Sequence, residues 1–210
     1  MKRGFLITFE GIEGSGKSTH VRRLVPFLKK RGYRVLHLRE PGGTPAGEAI
    51  RRILLSTEYR GLTALAEVLL YEAARAEIVR KKILPALNAG QIVLCDRFQD
   101  ATEAYQSAGG IGHALIERLG REACQGLRPN LTIFLDLPVE EGLRRSGRGD
   151  RIEQKPLSYH RRVQRAYLRI WKREPRRVKR IRAGDLVHDQ TRIREIILHA
   201  LRNDRRSRPS

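Results

Sequence analysis

The sequence predicts an α/β domain in which a parallel β-sheet is covered by helices on both faces. Short apolar runs alternate with longer amphipathic segments along the chain of 210 residues. The strand candidates are continuous apolar runs rather than alternating apolar and polar residues, which is typical of strands buried on both faces. A glycine-rich turn follows the first run and leads directly into a helical pattern, an arrangement that suits phosphate binding.

The first third of the chain predicts a strand, a helix and a second strand. The run from Gly4 to Phe9 is short, apolar and β-branched, so we predict a buried strand. In residues 19–31 apolar side chains recur at helical spacing, and Gly32 ends that helix. Residues 33–38 form the second predicted strand. A loop rich in glycine and proline follows at 40–43.

The middle third predicts amphipathic helices on either side of a third strand. Apolar residues recur at helical spacing in 46–55 and 64–87. The buried strand at 91–95 follows. Residues 101–106 and 114–124 are again helical, and the glycines between them predict a turn.

The last third predicts two further strands. The fourth, at 131–137, is bounded by a proline on each side, and the fifth is at 178–182. Helical spacing predicts three helices around them, over residues 139–145, 157–173 and 191–201.

The chain has the length of a single domain, which we place over residues 1–203 because no internal repeat or linker is visible. Residues 146–155 are polar, basic and glycine-containing, so we expect a mobile lid there. We expect a disordered basic tail at 204–210. No apolar run is long enough to span a bilayer, and Cys95 and Cys124 are too few for a disulfide framework or a four-ligand zinc site. These features predict a soluble protein of a reducing compartment.

The charge is strongly positive and uneven along the chain. Lys and Arg number 43 against 23 Asp and Glu, a net charge of +20, and residues 141–210 hold 22 of the basic residues. Such a surface favours anionic partners such as nucleotides. Of the 43 basic residues 34 are Arg, which indicates a compositional bias. We therefore prefer this bias together with nucleotide handling over nucleic-acid binding as a main role.

The glycine-rich turn fits the pattern G-x-x-x-x-G-K-[ST] between a predicted strand and a predicted helix, the context that this motif requires. The nine residues expected to hold the phosphates of a nucleoside triphosphate are Gly11, Ile12, Glu13, Gly14, Ser15, Gly16, Lys17, Ser18 and Thr19. Their glycines let successive N–H groups face the phosphates. We expect Lys17 to reach the β- and γ-phosphates and Ser18 to bind Mg²⁺.

Two further pairs suggest a second anion site and a base pocket. Asp96 and Arg97 follow the third strand, where an acid suits Mg²⁺ and an arginine fork suits a phosphate. A surface ion pair is an equal interpretation on spacing alone. Tyr71 and Arg75 share one helix face and could stack on and bond to a base, although spacing alone favours an ordinary surface pair.

Arginines crowd the predicted lid. Arg144, Arg145, Arg148 and Arg151 lie in or beside it, and the variable positions of the phosphate loop have no arginine. Arginines brought onto a transferring phosphoryl group would neutralise its developing charge. The alternative is a solvated basic loop.

Nine short motifs occur in order along the chain. They are Phe9–Thr19 (FEGIEGSGKST), Arg39–Thr44 (REPGGT), Ile50-Arg51 with Leu54-Leu55, Leu69–Arg75, Asp96–Phe98 (DRF), Ala104–Gln106 (AYQ), Arg128–Leu131 (RPNL), Leu135-Asp136 and Asp150–Gln154 (DRIEQ). On these motifs the chain resembles the thymidylate kinase (dTMP kinase) family over nearly its whole length.

The resemblance implies a P-loop nucleoside monophosphate kinase fold, with a five-stranded parallel sheet, helices on both faces and a short lid. It implies ATP and Mg²⁺ as cofactors, dTMP as the substrate and dTDP as the product. A cytoplasmic homodimer without a membrane anchor is expected. The bacterial type of this family has its catalytic arginine in the lid, so Arg148 and Arg151 are the candidates, beside Lys17 and Arg97 as catalytic residues and Ser18 and Asp96 as metal ligands.

The resemblance also assigns the acceptor residues. By position, Glu13 lies near the acceptor's 3′-hydroxyl, and Arg97, with Arg51 as a second candidate, binds its phosphate. On the base side, the four matching residues are Tyr71, which stacks on thymine, Arg75, which contacts O4, Thr102 at the thymine edge, and Tyr105 near C2′. Tyr71 stands where Phe is usual in the family.

Three other functions remain open on the sequence. One is another nucleoside monophosphate or deoxynucleoside kinase on the same scaffold. Another is a nucleic-acid-binding NTPase, which the charge would suit. The third is a nucleotide-binding protein without turnover, against which Lys17, Ser18, Asp96 and Arg97 argue.

Overall fold

The computed structural model describes residues 4–147 and 149–206. Within these residues, five strands form one parallel sheet in the order β2-β3-β1-β4-β5. The strands are β1 Phe5–Glu10, β2 Val35–Arg39, β3 Ile92–Asp96, β4 Leu131–Asp136 and β5 Val178–Arg182. The α/β class and the parallel sheet predicted from the sequence are confirmed.

Helices cover both faces of the sheet. They are α1 Lys17–Lys29, α2 Pro45–Leu55, α3 Ala64–Ile78, α4 Leu84–Asn88, α5 Gln99–Ala108, α6 His113–Ala123, α7 Val139–Ser146, α8 Leu157–Arg173 and α9 Leu186–Arg206. A short 3₁₀ turn at Thr57–Tyr59 precedes α3. No helix in the described part of the chain has both the length and the apolar character needed to cross a bilayer.

Three hydrophobic clusters hold the layers together. On one face, Ile7 of β1 packs with Leu24 of α1 and Ile197 of α9. On the other face, one cluster joins β4 to α5 and α8, and a second joins β3 to the end of α3. Each fully buried Leu or Ile side chain of this kind contributes about 1.5–3 kcal/mol through the hydrophobic effect.

The region predicted as one helix over 64–87 is divided. The α-helix ends at Ile78, a π-helical turn covers Val79–Ile83, and α4 follows. Pro85 in α4 has no N–H to donate, so a regular α-helical hydrogen bond at that position is missing. Apolar spacing alone does not reveal this change of pitch.

The last helix is longer than predicted at both ends. The sequence predicts 191–201, and α9 runs from Leu186 to Arg206. Asp185 accepts a hydrogen bond of 2.6 Å from the backbone N–H of His188 and so satisfies a free donor of the first turn. Residues 204–206 of the expected disordered tail are therefore helical. The rest of that tail, 207–210, lies outside the described residues.

Candidate active site

The site is a cavity of about 280 Å³ at the carboxyl ends of β1 and β3. Since these two strands are neighbours in the sheet, the segments that follow them meet although they are about 80 residues apart in sequence. Eleven of the predicted site residues line the cavity: Glu13, Gly14, Lys17, Ser18, Arg51, Tyr71, Arg75, Asp96, Arg97, Thr102 and Tyr105. The donor and acceptor candidates therefore share one space.

The phosphate loop joins β1 to α1. Gly11, Gly14 and Gly16 have φ angles of 143°, 68° and 89°, which residues other than glycine rarely adopt. At Gly14 the restriction is also steric, because an added Cβ would collide with the carbonyl oxygen of Gly142 on α7. The glycines of the motif are therefore required by the backbone path.

Lys17, the first residue of α1, is buried and points back into the loop. Its Nζ donates to the carbonyl oxygens of Ile12 and Gly11 at 2.7 and 3.1 Å and to Ser15 Oγ at 3.2 Å. Burial, together with the positive charge of Arg97, lowers its pKa to about 8. The ammonium group lies among acceptors at the place where the motif requires a cation for phosphate oxygens.

Ser18 and Asp96 meet across the site. The Ser18 hydroxyl donates to Asp96 Oδ2, which joins the start of α1 to the end of β3. Both side chains offer oxygen donors, the ligand type that Mg²⁺ prefers, usually beside phosphate oxygens and water. Such a pair fits an ion held jointly by protein and nucleotide. No group of three or more His, Cys, Asp or Glu side chains that could bind a metal by itself occurs among the described residues.

Arg97 follows Asp96 in a left-handed conformation, with φ 69°. This turn directs the guanidinium group back over the phosphate loop, where it donates to the carbonyl oxygen of Gly11 and to Glu13 Oε1, both at 3.0 Å. It also lies 4.9 Å from the ring centre of Tyr105. A non-glycine residue in this conformation is uncommon and indicates a position constrained by its surroundings.

The Glu13 carboxylate lies on the acceptor side of the cavity, where Arg97, Tyr105 and His160 surround it. Its Oε1 accepts from the Tyr105 hydroxyl at 2.6 Å, and its Oε2 lies 3.6 Å from Nδ1 of the buried His160. Burial raises the Glu13 pKa, but Arg97, His160 and Lys17 outweigh that effect and hold it at about 2. The carboxylate is thus ionised at neutral pH and faces the cavity.

Arg75 lies at the base of the cavity and is 2% exposed. Its guanidinium pairs with Glu40 and Glu72 at 2.8 and 2.9 Å and donates to Gln99 and Thr102 at 2.7 and 2.9 Å. These partners come from three segments of the chain: the loop after β2, α3 itself and α5. Arg75 is therefore held in one orientation, and its link to Thr102 joins two residues predicted to face the same base edge.

The remaining acceptor candidates also lie in the cavity wall. Tyr71, one turn before Arg75 on α3, lines the cavity, and burial raises the pKa of its phenol group. Arg51 of α2 donates to the carbonyl oxygen of Pro41 at 3.0 Å, after a cis peptide bond between Glu40 and Pro41. Tyr71 and Arg75, for which spacing alone favours an ordinary surface pair, thus both line an internal pocket.

The structure does not bring Arg151 to the phosphate loop. Its side chain is 5% exposed, and it donates to Glu67 Oε2 at 2.6 Å and to the carbonyl oxygen of Leu54 at 2.9 Å. Its neighbours Asp150, Ile152 and Glu153 line the cavity instead. Arg148, the other lid candidate, lies outside the described residues.

Sequence reasoning missed several buried partners of the site. Glu40 belongs to the motif Arg39–Thr44, from which the sequence predicts no role for it, and it pairs with Arg75. Gln106 lines the cavity and donates to Glu67 at 2.5 Å. His160 and Tyr167 stand seven residues apart on α8, a spacing that places both on the face packed against the site. That helical spacing was the only available signal for them.

Comparisons with known proteins agree on one family. The sequence model described as Thymidylate kinase matches residues 9–194. A thymidylate kinase of Synechococcus is 50% identical to the chain over 179 residues, which are 85% of this chain and 87% of the relative. One of Pelotomaculum thermopropionicum is 45% identical over 207 residues, with 94% and 96% covered.

Solved structures give the same family. The crystal structure of thymidylate kinase from Ehrlichia chaffeensis matches with a TM-score of 0.78 and 32% sequence identity. The match covers 93% of this chain and 99% of that one. The similarity thus extends over sheet, helices and site rather than over the phosphate loop alone.

Proposed function

The chain belongs to the thymidylate kinase family, and on that premise we propose how its side chains transfer the γ-phosphoryl group of ATP to dTMP, giving dTDP and ADP. The observation that carries the proposal is the meeting of the phosphate loop and the candidate acceptor residues in one cavity. The phosphate loop lines this cavity, and so do Arg97 and the Tyr71–Arg75 face of α3. Transfer between two bound nucleotides requires both.

The donor is held by residues 11–19. Lys17 exchanges the carbonyl oxygens that it now contacts for oxygens of the β- and γ-phosphates. Ser18 and Asp96 are the residues that would hold Mg²⁺, and the ion would supply positive charge against the phosphates. The loop N–H groups and the start of α1 add further positive potential.

The acceptor phosphate is bound by Arg97, with Arg51 as a second cation in the same wall. A phosphate monoester is already ionised at neutral pH, so its oxygen attacks without a general base. Positioning and neutralisation of charge supply the catalysis. Arg97 lies over the phosphate loop, which supports binding of the acceptor beside the donor.

The thymidine moiety is read by the side chains deeper in the cavity. Tyr71 stacks on the base, and Arg75 and Thr102, bonded to each other at 2.9 Å, bond to its edge. Glu13 accepts from the 3′-hydroxyl, and the Tyr105 ring fills the space that a ribose 2′-hydroxyl would need. The polar groups are fixed in advance by Glu40 and Glu72, which supports selectivity.

In the lid, we assign the cation that meets the transferring phosphoryl group to Arg148. The guanidinium of Arg151 is engaged by Glu67 and by Leu54, whereas Arg148 is the other arginine of the glycine-flanked segment. Arg148→Ala should lower kcat with ATP and leave the affinity for dTMP nearly unchanged. A loss confined to dTMP binding would contradict this assignment.

We propose a cytoplasmic homodimer that uses α3 as part of its interface. Leu65 and Leu69, one turn apart, are 49% and 47% exposed, an unusual position for two leucines. A second copy of the chain would cover them. Leu65→Glu with Leu69→Glu should convert a dimer to a monomer by light scattering, and a monomeric wild-type chain would refute the proposal.

The decisive test of function is an ADP-release assay with ATP·Mg²⁺ and a panel of acceptors: dTMP, dUMP, UMP, dCMP, dGMP, AMP and thymidine. We expect strong preference for dTMP. Preference for another monophosphate would keep the phosphate chemistry and overturn the base roles of Tyr71, Arg75 and Thr102. No turnover with any acceptor would contradict a kinase, and titration with polynucleotide would then test the nucleic-acid alternative.

A further inference from the structure

The turn at residues 150–155 is anchored by one buried carboxylate. Glu67 of α3 is 3% exposed. Its Oε2 accepts from Arg151 at 2.6 Å, and Lys155 Nζ lies 3.2 and 3.3 Å from its two oxygens. Two cations of the same short turn thus share one acid that is at least 84 residues away in sequence.

The Glu67 carboxylate also contacts a residue that lines the acceptor pocket. Gln106 of α5 donates to Glu67 Oε1 at 2.5 Å and also lines the cavity. Arg151 further ties the turn to the end of α2, since its Nε donates to Leu54 and its backbone N–H to Leu55 at 3.1 Å. Glu67 therefore joins the turn to α3 and α5, and its partner Arg151 joins the turn to α2.

The position of this turn matters for the cavity, because its neighbouring residues form part of the wall. Asp150, Ile152 and Glu153 line the cavity on either side of Arg151. Lys155, the second cation, lies 4.5 Å from the ring centre of Tyr159, whose hydroxyl donates to the carbonyl oxygen of Tyr105 at 3.1 Å. Release of the turn would move one wall of the acceptor pocket.

We propose that Glu67 is a positioning residue for the acceptor: it anchors the turn at 150–155 through Arg151 and Lys155, and it orients Gln106 toward the pocket. This gives Arg151 a role in holding the wall rather than in contacting the transferred phosphoryl group. The proposal rests on the proposed function, since the pocket is taken to bind dTMP. Removal of the charge would leave the buried Arg151 and the partly buried Lys155 without their shared counter-charge.

The test compares Glu67→Gln with the wild type. Gln keeps the shape but not the charge, so we expect the KM for dTMP to rise roughly tenfold or more, through misplacement of the wall. The KM for ATP should change little. The matched control is Glu77→Gln on the same helix, where the pair with Lys81 is on the surface, and it should behave as the wild type.

Hydrogen exchange without substrates measures the anchor itself. Backbone amides of 150–155 should exchange faster in Glu67→Gln, while those of β1 and β3 should not change. Arg151→Gln should show the same rise in dTMP KM and the same exchange. The double variant should be no worse than the more affected single one, because both remove one interaction.

Other results would overturn the proposal. Hydrogen exchange and a dTMP KM like those of the wild type in Glu67→Gln would do so. A loss of kcat alone would also do so, because it would indicate that Arg151 contacts the transferred phosphoryl group. If Glu67→Gln fails to fold, the milder Lys155→Gln decides, and it should raise both readouts partway. A wild type that does not phosphorylate dTMP would refute the proposed function, while the exchange result would still decide on the anchor.

Discussion

The hydroxyl of Tyr105 and the guanidinium of Arg97 converge on one oxygen, Oε1 of Glu13, at 2.6 and 3.0 Å. This contact joins α5, the end of β3 and the phosphate loop. The residue proposed to bind the acceptor phosphate and the residue proposed to exclude a 2′-hydroxyl are therefore fixed by the same carboxylate. Their effects on catalysis are separable by substitution.

Tyr105→Ala should relax discrimination between dTMP and UMP. The ring is held at its edges by Tyr159 and Tyr167, with ring centres 6.4 and 6.2 Å away, so its removal leaves space rather than a rearranged ring. The measurement is the ratio of kcat/KM for the two acceptors, expected to fall by roughly tenfold or more. Tyr105→Phe is the control, since it keeps the ring and loses only the bond to Glu13. An unchanged ratio in Tyr105→Ala would count against the assignment.

Arg97→Ala should raise the KM for dTMP by about two orders of magnitude, because a charged bidentate contact to its phosphate is lost. Steady-state kinetics with each substrate varied in turn will measure it. Exposed Arg169 on α8 offers a control substitution of the same type. If only the KM for ATP responds, the acceptor role is refuted.

Lys17→Ala should remove nearly all activity, by roughly three orders of magnitude in kcat, since the cation beside the transferring group is lost. Single-turnover measurement at saturating dTMP will detect the residual rate. Lys30→Ala, at an exposed position after α1, should have no effect. Turnover like that of the wild type would contradict the assignment of the phosphate loop.

Glu10 should make stability depend on pH. Burial, with the charge of Asp100, raises its pKa to about 8, although Arg97 and Tyr167 act in the opposite direction. Between its ordinary pKa of 4.5 and about 8, the folded chain keeps a proton that the unfolded chain has lost. Its contribution to the free energy of unfolding therefore falls as pH rises through that range, by at most about 1.4 kcal/mol per pH unit, and levels off above it.

Glu10→Gln removes that titration, so denaturant unfolding between pH 5 and 8 should show a smaller loss of stability with pH than in the wild type. Exposed Glu58→Gln is the control and should keep the wild-type dependence. Parallel curves for Glu10→Gln and the wild type would show that Glu10 does not titrate in this way.

The sheet and the phosphate loop were predictable because their patterns are local. A buried strand is a short apolar run, and the loop needs glycine at fixed positions. The helix 157–173 and the strand 178–182 were predicted with the observed bounds. The start of α9 was missed because it depends on Asp185 as a cap rather than on apolar spacing.

The environments of individual arginine side chains were less predictable from the sequence. Arg151 lies in a basic, glycine-containing segment that reads as solvent-exposed, yet it is buried because Glu67, on another helix, pairs with it. Arg75 is likewise buried by partners from distant segments. Spacing along the chain identifies an arginine, but the acid that determines its environment is known only from the fold.

The Lys17 ammonium rests on two carbonyl oxygens and one hydroxyl of its own loop. The oxygens of the loop thus occupy the hydrogen-bonding positions around Lys17 that phosphate oxygens are proposed to take. In the proposed complex, phosphate oxygens replace these acceptors. The number of hydrogen bonds that Lys17 donates would then hardly change, and the exchange would contribute little net affinity. What changes is the charge of the acceptors, from neutral carbonyls to phosphate. Affinity at this position should therefore increase with the negative charge of the phosphate chain and depend little on the identity of the base.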